Sequence, residues 1–123
     1  MHSLNLKRIN EKAPYLVTLN ENDETYTFVT ESGVEYSIGF MPDDLLQSDE
    51  SYEFVIANLN DKKSPRDKKV KDTVVAIVEE FFNSNSATIL YLLATKLLQK
   101  REMRKDIVIE LSYKGFSRAS DYS

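Results

Sequence analysis

The feature that most constrains the fold is a change of hydrophobic periodicity near residue 60. Over residues 34–40, apolar side chains alternate with polar or small ones, which is typical of a strand with one buried face. Beyond residue 65, apolar residues recur at helical spacing, at Val70, Val74, Ile77, Val78 and Phe81. A run of strands followed by helix predicts an α+β domain.

Four strands are predicted in the first half of the chain. They span residues 15–20, 25–30, 34–40 and 52–59. Glu21, Asn22 and Asp23 favour a turn, and Gly33 tolerates the positive φ of a tight hairpin. Residues 41–51 contain Pro42 and lack periodicity, which predicts a loop. Because the connections are short, the pattern predicts an antiparallel meander.

The second half begins with a predicted helix over residues 65–82. Ser64 is the expected N-cap, Pro65 the first helical residue, and Asp67 the acid three residues after the cap. Residues 83–86 end this helix. The continuous apolar run of residues 88–94 predicts a strand in the centre of the sheet, covered on both faces.

The segment 95–113 fits two interpretations. As a helix, it places Met103, Ile107 and Leu111 on one face, whereas residues 107–113 also alternate like a strand. We favour the helix. The predicted fold is one α+β domain over residues 1–123, with an antiparallel sheet of about five strands, a helix over 65–82 and a C-terminal helix. Its core spans about 14–113, and we expect flexible ends at 1–12 and 114–123.

Five stretches occur in an order that resembles a small uncharacterised bacterial domain family of unknown function. They are ETYTFVTESGVEYSIGF, SYEFVIAN, PRDKKVKDTVVAIVEEFF, ILYLL and RKDIVIEL, within residues 24–111. The resemblance implies a sheet, helix, strand and helix, with Arg104, Ile107, Val108 and Leu111 in the last helix. Where the family tends to have a Cys-Asp pair and a tryptophan, this chain has Leu93-Ala94 and Leu111. No activity follows from the resemblance.

Composition excludes several kinds of site. The chain has no cysteine and a single histidine, His2, which removes thiolate chemistry and most imidazole chemistry. No Gly-x-Ser-x-Gly motif is present, so we predict no catalytic residues, no cofactor and no metal. No apolar run reaches the ~20 residues of a membrane span, and the first residues do not form a secretory signal, which predicts a cytoplasmic protein without membrane contact.

Charge divides the chain. Residues 1–60 carry three bases and eleven acids, whereas residues 61–123 carry thirteen bases and nine acids. Eleven of these thirteen bases lie in segments 62–71 and 96–105, and a phosphate-bearing polyanion such as a nucleic acid would suit the two segments if they converge. The candidate polyanion-binding residues are Lys62, Lys63, Arg66, Lys69, Lys100, Arg101 and Arg104. The competing interpretation is a solvated basic surface, or pairing with the acidic half.

Two further residue groups have plain structural interpretations. The strand aromatics are expected in the core rather than stacked on nucleobases: Tyr26, Phe28, Tyr36, Tyr52 and Phe54. The acids of the 43–53 region match no cation-binding loop and are expected in solvent: Asp43, Asp44, Asp49, Glu50 and Glu53.

The sequence therefore favours a small non-enzymatic interaction module, which we expect to self-associate as a homodimer or to bind a protein partner. An open sheet edge or a sheet face without helices is the expected contact. The alternative is weak nucleic-acid or polyanion binding through segments 62–71 and 96–105. An enzyme is the third class.

Overall fold

The computed structural model describes residues 4–42, 51–60, 62, 67–85, 89–94 and 119–122. Within them lie two helices and six strands. In chain order they are α1 (Leu6–Lys12), β1 (Thr18–Asn20), β2 (Thr25–Val29), β3 (Glu35–Pro42), β4 (Ser51–Asn58), α2 (Lys68–Asn85), β5 (Ile89–Ala94) and β6 (Ala119–Tyr122).

The strands form one sheet in sequence order, from β1 to β6. Strands β1 to β4 pair antiparallel, which confirms the predicted meander and the α+β class. β5 lies between β4 and β6 in the strand order. The expectation of a wholly antiparallel sheet is wrong, because β4 pairs with β5 and β5 with β6 in parallel. The β4–β5 connection runs through α2, which is the kind of crossover that parallel strands require.

The core fills the space between α2 and one face of the sheet. All five residues of the predicted apolar stripe are buried, from Val70 to Phe81. They belong to the same buried cluster as Tyr26, Phe28 and Tyr36, which confirms the core role expected for these aromatics. Phe28 stacks on Tyr36 with ring centroids 5.3 Å apart. The side chains of Tyr52 and Phe54, the other two aromatics of this set, lie outside the described part of the structure.

The start of α2 differs from the sequence prediction. The helix begins at Lys68, and the Asp67 carboxylate accepts a hydrogen bond from the Lys69 backbone N–H at 2.8 Å. Asp67 is therefore the N-cap, in place of Ser64. The same carboxylate also accepts a hydrogen bond from the Tyr15 hydroxyl at 2.7 Å, so a tertiary contact fixes this boundary.

Two elements lie in segments where the sequence predicted none. Helix α1 falls within residues 1–12, and β6 falls within residues 114–123. α1 buries Ile9 and is tied to α2 by ion pairs from Arg8 to Glu80 at 3.5 Å and from Lys12 to Glu79 at 3.4 Å. The helix expected over 95–113 lies outside the described residues.

The β2–β3 hairpin confirms the predicted use of Gly33. Its φ of 82° lies in the left-handed region that glycine adopts without steric cost. The Val34 N–H donates to the Thr30 hydroxyl at 3.0 Å, and the Thr30 N–H donates to the Val34 carbonyl at 2.9 Å. These contacts close the turn and set the register of β2 and β3.

Candidate functional site

The described helices pack on one face of the sheet, and the register of the strands arranges the opposite, helix-free face in rows. One row contains Val29 and its register partner Glu35. The Leu59 N–H donates to the Glu35 carbonyl at 2.8 Å and continues this row into the end of β4. The β1–β2 register, which pairs Thr18 with Thr27, places Leu16 opposite Val29 when it is extended by two residues.

This row collects the exposed hydrophobic side chains. Leu16 is 74% exposed, and Val29 and Leu59 are each 54% exposed. They are all of the large exposed hydrophobic residues in the part of the chain that the structure describes. We call Leu16, Val29 and Leu59 the apolar row. Exposed apolar residues scattered singly are ordinary, whereas three in one row of a sheet, here with Glu35 between two of them, mark a candidate surface for contact with another molecule.

Next to the apolar row lies a region of the sheet face where the side chains are no larger than valine. In the middle row, Thr27 pairs with Ser37, and Ser37 pairs with Ala57. In the row beyond, Gly39 lies beside Val55, and a Cβ added to Gly39 would be 3.6 Å from the Thr25 side chain. We call these six residues the shelf: Thr25, Thr27, Ser37, Gly39, Val55 and Ala57.

An open groove of about 440 Å³ runs over part of the shelf. Its lining includes Ser37, Gly39 and Val55, with Asp23 and Glu24 at one end. The groove exists because Gly39 has no side chain between its neighbours. Since a Cβ there would make only ordinary van der Waals contact, the space is open rather than required by packing.

Two properties of the shelf bear on what it can bind. Ser37 is only 7% exposed, and its hydroxyl has no hydrogen bond within the described part of the chain. A buried hydroxyl of this kind gains from a partner that supplies an acceptor or donor. Among the described residues, the charged side chains beside the shelf are acidic: Asp23, Glu24 and Glu35. The Asp23 carboxylate accepts a hydrogen bond from the Thr25 hydroxyl at 2.7 Å.

Of the seven predicted polyanion-binding residues, the structure describes Lys62 and Lys69 and brings both to the β2–β3 turn. The Lys69 ammonium pairs with the Glu31 carboxylate and lies 5.8 Å from the centre of the Tyr15 ring. The Lys62 ammonium lies 2.8 Å from the position of a Cβ on Gly33. The other five lie outside the described residues: Lys63, Arg66, Lys100, Arg101 and Arg104.

The pairing of Lys69 has an electrostatic signature. The hydrogen bond to Glu31 raises the pKa of Lys69 above its usual value. Burial, followed by the hydrogen bond to Asp67, raises the pKa of Tyr15 to about 12. Both shifts stabilise the protonated form and move titration away from neutral pH. The network therefore anchors the start of α2 to the β2–β3 turn and to Tyr15.

Other sequence candidates add no site to this surface. Among residues with a described placement, no three of His, Cys, Asp and Glu come together as a cation site. The acids 43, 44, 49 and 50 lie outside the described residues, and Glu53 lies in β4. Neither described helix has the length and apolar character needed to cross a membrane.

The fold defines an α+β domain, and the helices that the structure describes lie on one face of its sheet. No family model, curated protein or solved structure matches the chain. The resemblance to a small bacterial family stays a prediction. Sequence reasoning identified a face without helices as a possible contact but did not single out the apolar row. Strand register was the signal that would have brought Leu16, Val29 and Leu59 together.

Proposed function

We propose that this protein is a non-enzymatic interaction module that self-associates through the helix-free face of its sheet. The apolar row is the observation that carries the proposal. Its three side chains come from three separate segments and fall in one row of the sheet, in which Glu35 lies between Val29 and Leu59. Covering them removes apolar area from water, which stabilises association by about 25 cal/mol per Å² buried.

The shape of the face supports close contact. The shelf contains no side chain larger than valine, so another surface can approach β2, β3 and β4 closely. At ~3.4 Å per residue and ~4.8 Å between strands, the six strands give a flat area of about 550 Å². Side chains that project from the sheet add to this flat area and bring it toward the ~800 Å² per partner of a standard interface.

The topology supports an open face as well. A crossover must join the parallel strands β5 and β6, and the helix predicted over 95–113 would serve as one. From β4 to β5 to β6 the chain steps in one direction across the sheet. Connections between parallel strands are right-handed, so two successive connections that step in the same direction across a sheet place their helices on the same face. On this proposal the C-terminal helix joins α2 and leaves the opposite face free.

Sedimentation velocity over a wide concentration range tests the proposal. The wild-type chain should show a concentration-dependent dimer. The double variant Val29→Thr, Leu59→Ser should shift toward monomer while its circular dichroism stays unchanged, because both side chains are already exposed. Lys68→Ser, an exposed change on α2, is the control and should associate as the wild type does. A wild-type chain that stays monomeric at millimolar concentration overturns self-association.

Polyanion binding through segments 62–71 and 96–105 is the alternative function. The ion pair between Lys69 and Glu31 weakens it, since that lysine is already neutralised by the acidic half of the chain. The Lys69–Glu31 ion pair supports the competing interpretation, in which the basic residues pair with acids of the first half.

A further inference from the structure

We infer that two copies of the chain meet reciprocally, with the apolar row of each packed on the shelf of the other. This rests on the proposed function and adds its geometry. On the helix-free face, β3 and β4 each carry a large outer residue followed by a small middle one, whereas the three residues of β2 are similar in size. The successions are Val29–Thr27–Thr25, Glu35–Ser37–Gly39 and Leu59–Ala57–Val55.

The equal spacing makes the face self-complementary. Residues four apart on a strand are separated by about 13 Å, and the middle residue lies halfway. A two-fold axis along the middle row, through Thr27, Ser37 and Ala57, exchanges the two outer rows and keeps each strand in place. Leu59 of one copy then lies over the partner's Val55, and Glu35 lies over the partner's Gly39. Thr27 lies against its own symmetry mate.

Gly39 and Ser37 give this arrangement its fit. Glu35 needs space where it meets the partner, and the groove over Gly39 provides it. The Ser37 hydroxyl lies two residues from Gly39 on the same strand and is free, among the described residues, to donate to an incoming carboxylate. A hydrogen bond to a charged acceptor is stronger than one between neutral groups.

Another two-fold arrangement packs less well. An axis parallel to the strands sets apolar row against apolar row and shelf against shelf. The two grooves then face each other and leave an unfilled space, which interfaces packed to the density of protein interiors do not tolerate. The reciprocal arrangement fills each groove with a projecting side chain.

Charge gives the association a distinctive salt dependence. Asp23, Glu24 and Glu35 bring like charges together when two copies meet, and ions screen this repulsion. The dimer should therefore become tighter as salt rises, whereas a basic partner on the same face would become weaker. Glu35→Gln keeps the shape of the side chain, removes one charge from each copy and should reduce the salt dependence.

Cysteine cross-linking tests the geometry directly, since the chain has no cysteine. With a short bismaleimide suited to packed sheets ~10 Å apart, Thr27→Cys should cross-link to itself. Leu59→Cys and Val55→Cys should each cross-link poorly alone and efficiently when mixed. Lys68→Cys on α2 is the control and should give no specific product.

A second variant tests the shelf without cross-linking. Gly39→Leu fills the groove and should weaken the dimer by about tenfold or more, because overpacking separates the two faces. Gly39→Ala has room for its Cβ and should weaken it less. Circular dichroism and thermal unfolding check that both variants fold.

The outcomes separate the two proposals. Dimers in sedimentation without cross-linking at Thr27→Cys, or with no response to Gly39→Leu, overturn the reciprocal geometry and leave self-association standing. A monomeric wild type overturns both. Dimers that dissociate as salt rises point to contact between opposite charges and also overturn the reciprocal geometry.

Discussion

Phe40 and Phe81 stack face to face, with ring centroids 4.1 Å apart and ring planes within 9° of parallel. The contact joins β3 to the last turns of α2 across the core. Phe81 is fully buried. Its ring centroid lies 6.0 Å from that of Phe82, and the two ring planes make an angle of 82°. This aromatic contact fixes the end of α2 against the meander.

Removing the Phe81 ring should therefore be costly. We expect Phe81→Ala to lower the free energy of unfolding by about 3–5 kcal/mol, through lost burial and the cavity left behind. Phe82 is only partly buried, so Phe82→Ala is the matched control and should cost less. Urea titration followed by circular dichroism measures both. A loss below about 1 kcal/mol for Phe81→Ala would contradict the core assignment.

Asn10 acts on the Val17 backbone as a neighbouring strand would. Its amide donates to the Val17 carbonyl at 3.0 Å, and its carbonyl accepts from the Val17 N–H at 2.8 Å. We expect Asn10→Ala to cost about 1–3 kcal/mol, because it removes both partners of a buried residue. Glu11→Ala, an exposed change on the same helix, should stay within about 0.5 kcal/mol in the same titration.

The Tyr15 phenol should make stability fall at high pH. Its pKa rises from 10.0 to about 12 in the folded chain, so folding favours the protonated form. That contribution is complete below pH 10 and is lost as the pH rises through about 12. Thermal unfolding of the wild type should therefore fall more steeply over this window than that of Tyr15→Phe. Parallel curves for the two chains would show that Tyr15 does not carry the effect.

The polyanion alternative has its own test. Fluorescence anisotropy with single- and double-stranded DNA and RNA at low salt should show weak binding that declines steeply as salt rises. Replacing Arg101 and Arg104 together by alanine should flatten that decline. Lys69→Ala is the control and should change it little, because Glu31 already pairs with Lys69. No binding at high micromolar protein would remove this alternative.

Most of the meander could be predicted from local pattern. The alternation in residues 34–40 and the glycine at position 33 mark a hairpin without knowledge of distant residues. Helix α1 could not be found this way, because seven residues make a marginal helix in isolation. Its contact with Glu80 lies far along the chain. The observed start of α2 differs from the predicted one for a similar reason, because Asp67 also accepts a hydrogen bond from the distant Tyr15 hydroxyl.

The candidate surface was harder to predict than the fold. The members of the apolar row are ordinary strand residues when each is considered in its own segment. They become a surface only when Leu59 is placed beside Glu35 and when the β1–β2 register is extended from Thr18 back to Leu16. The charge pattern pointed instead to lysines, and the structure pairs Lys69 with an acid of the first half.

The order of elements has a consequence for the chain during its synthesis. The four meander strands emerge from the ribosome before α2, which supplies the cover of their core face. Translation at ~5–20 residues per second leaves Tyr26, Phe28 and Tyr36 without that cover for about 2–12 s. A nascent chain stalled near residue 60 is therefore the form of this protein most prone to aggregate and most in need of a chaperone.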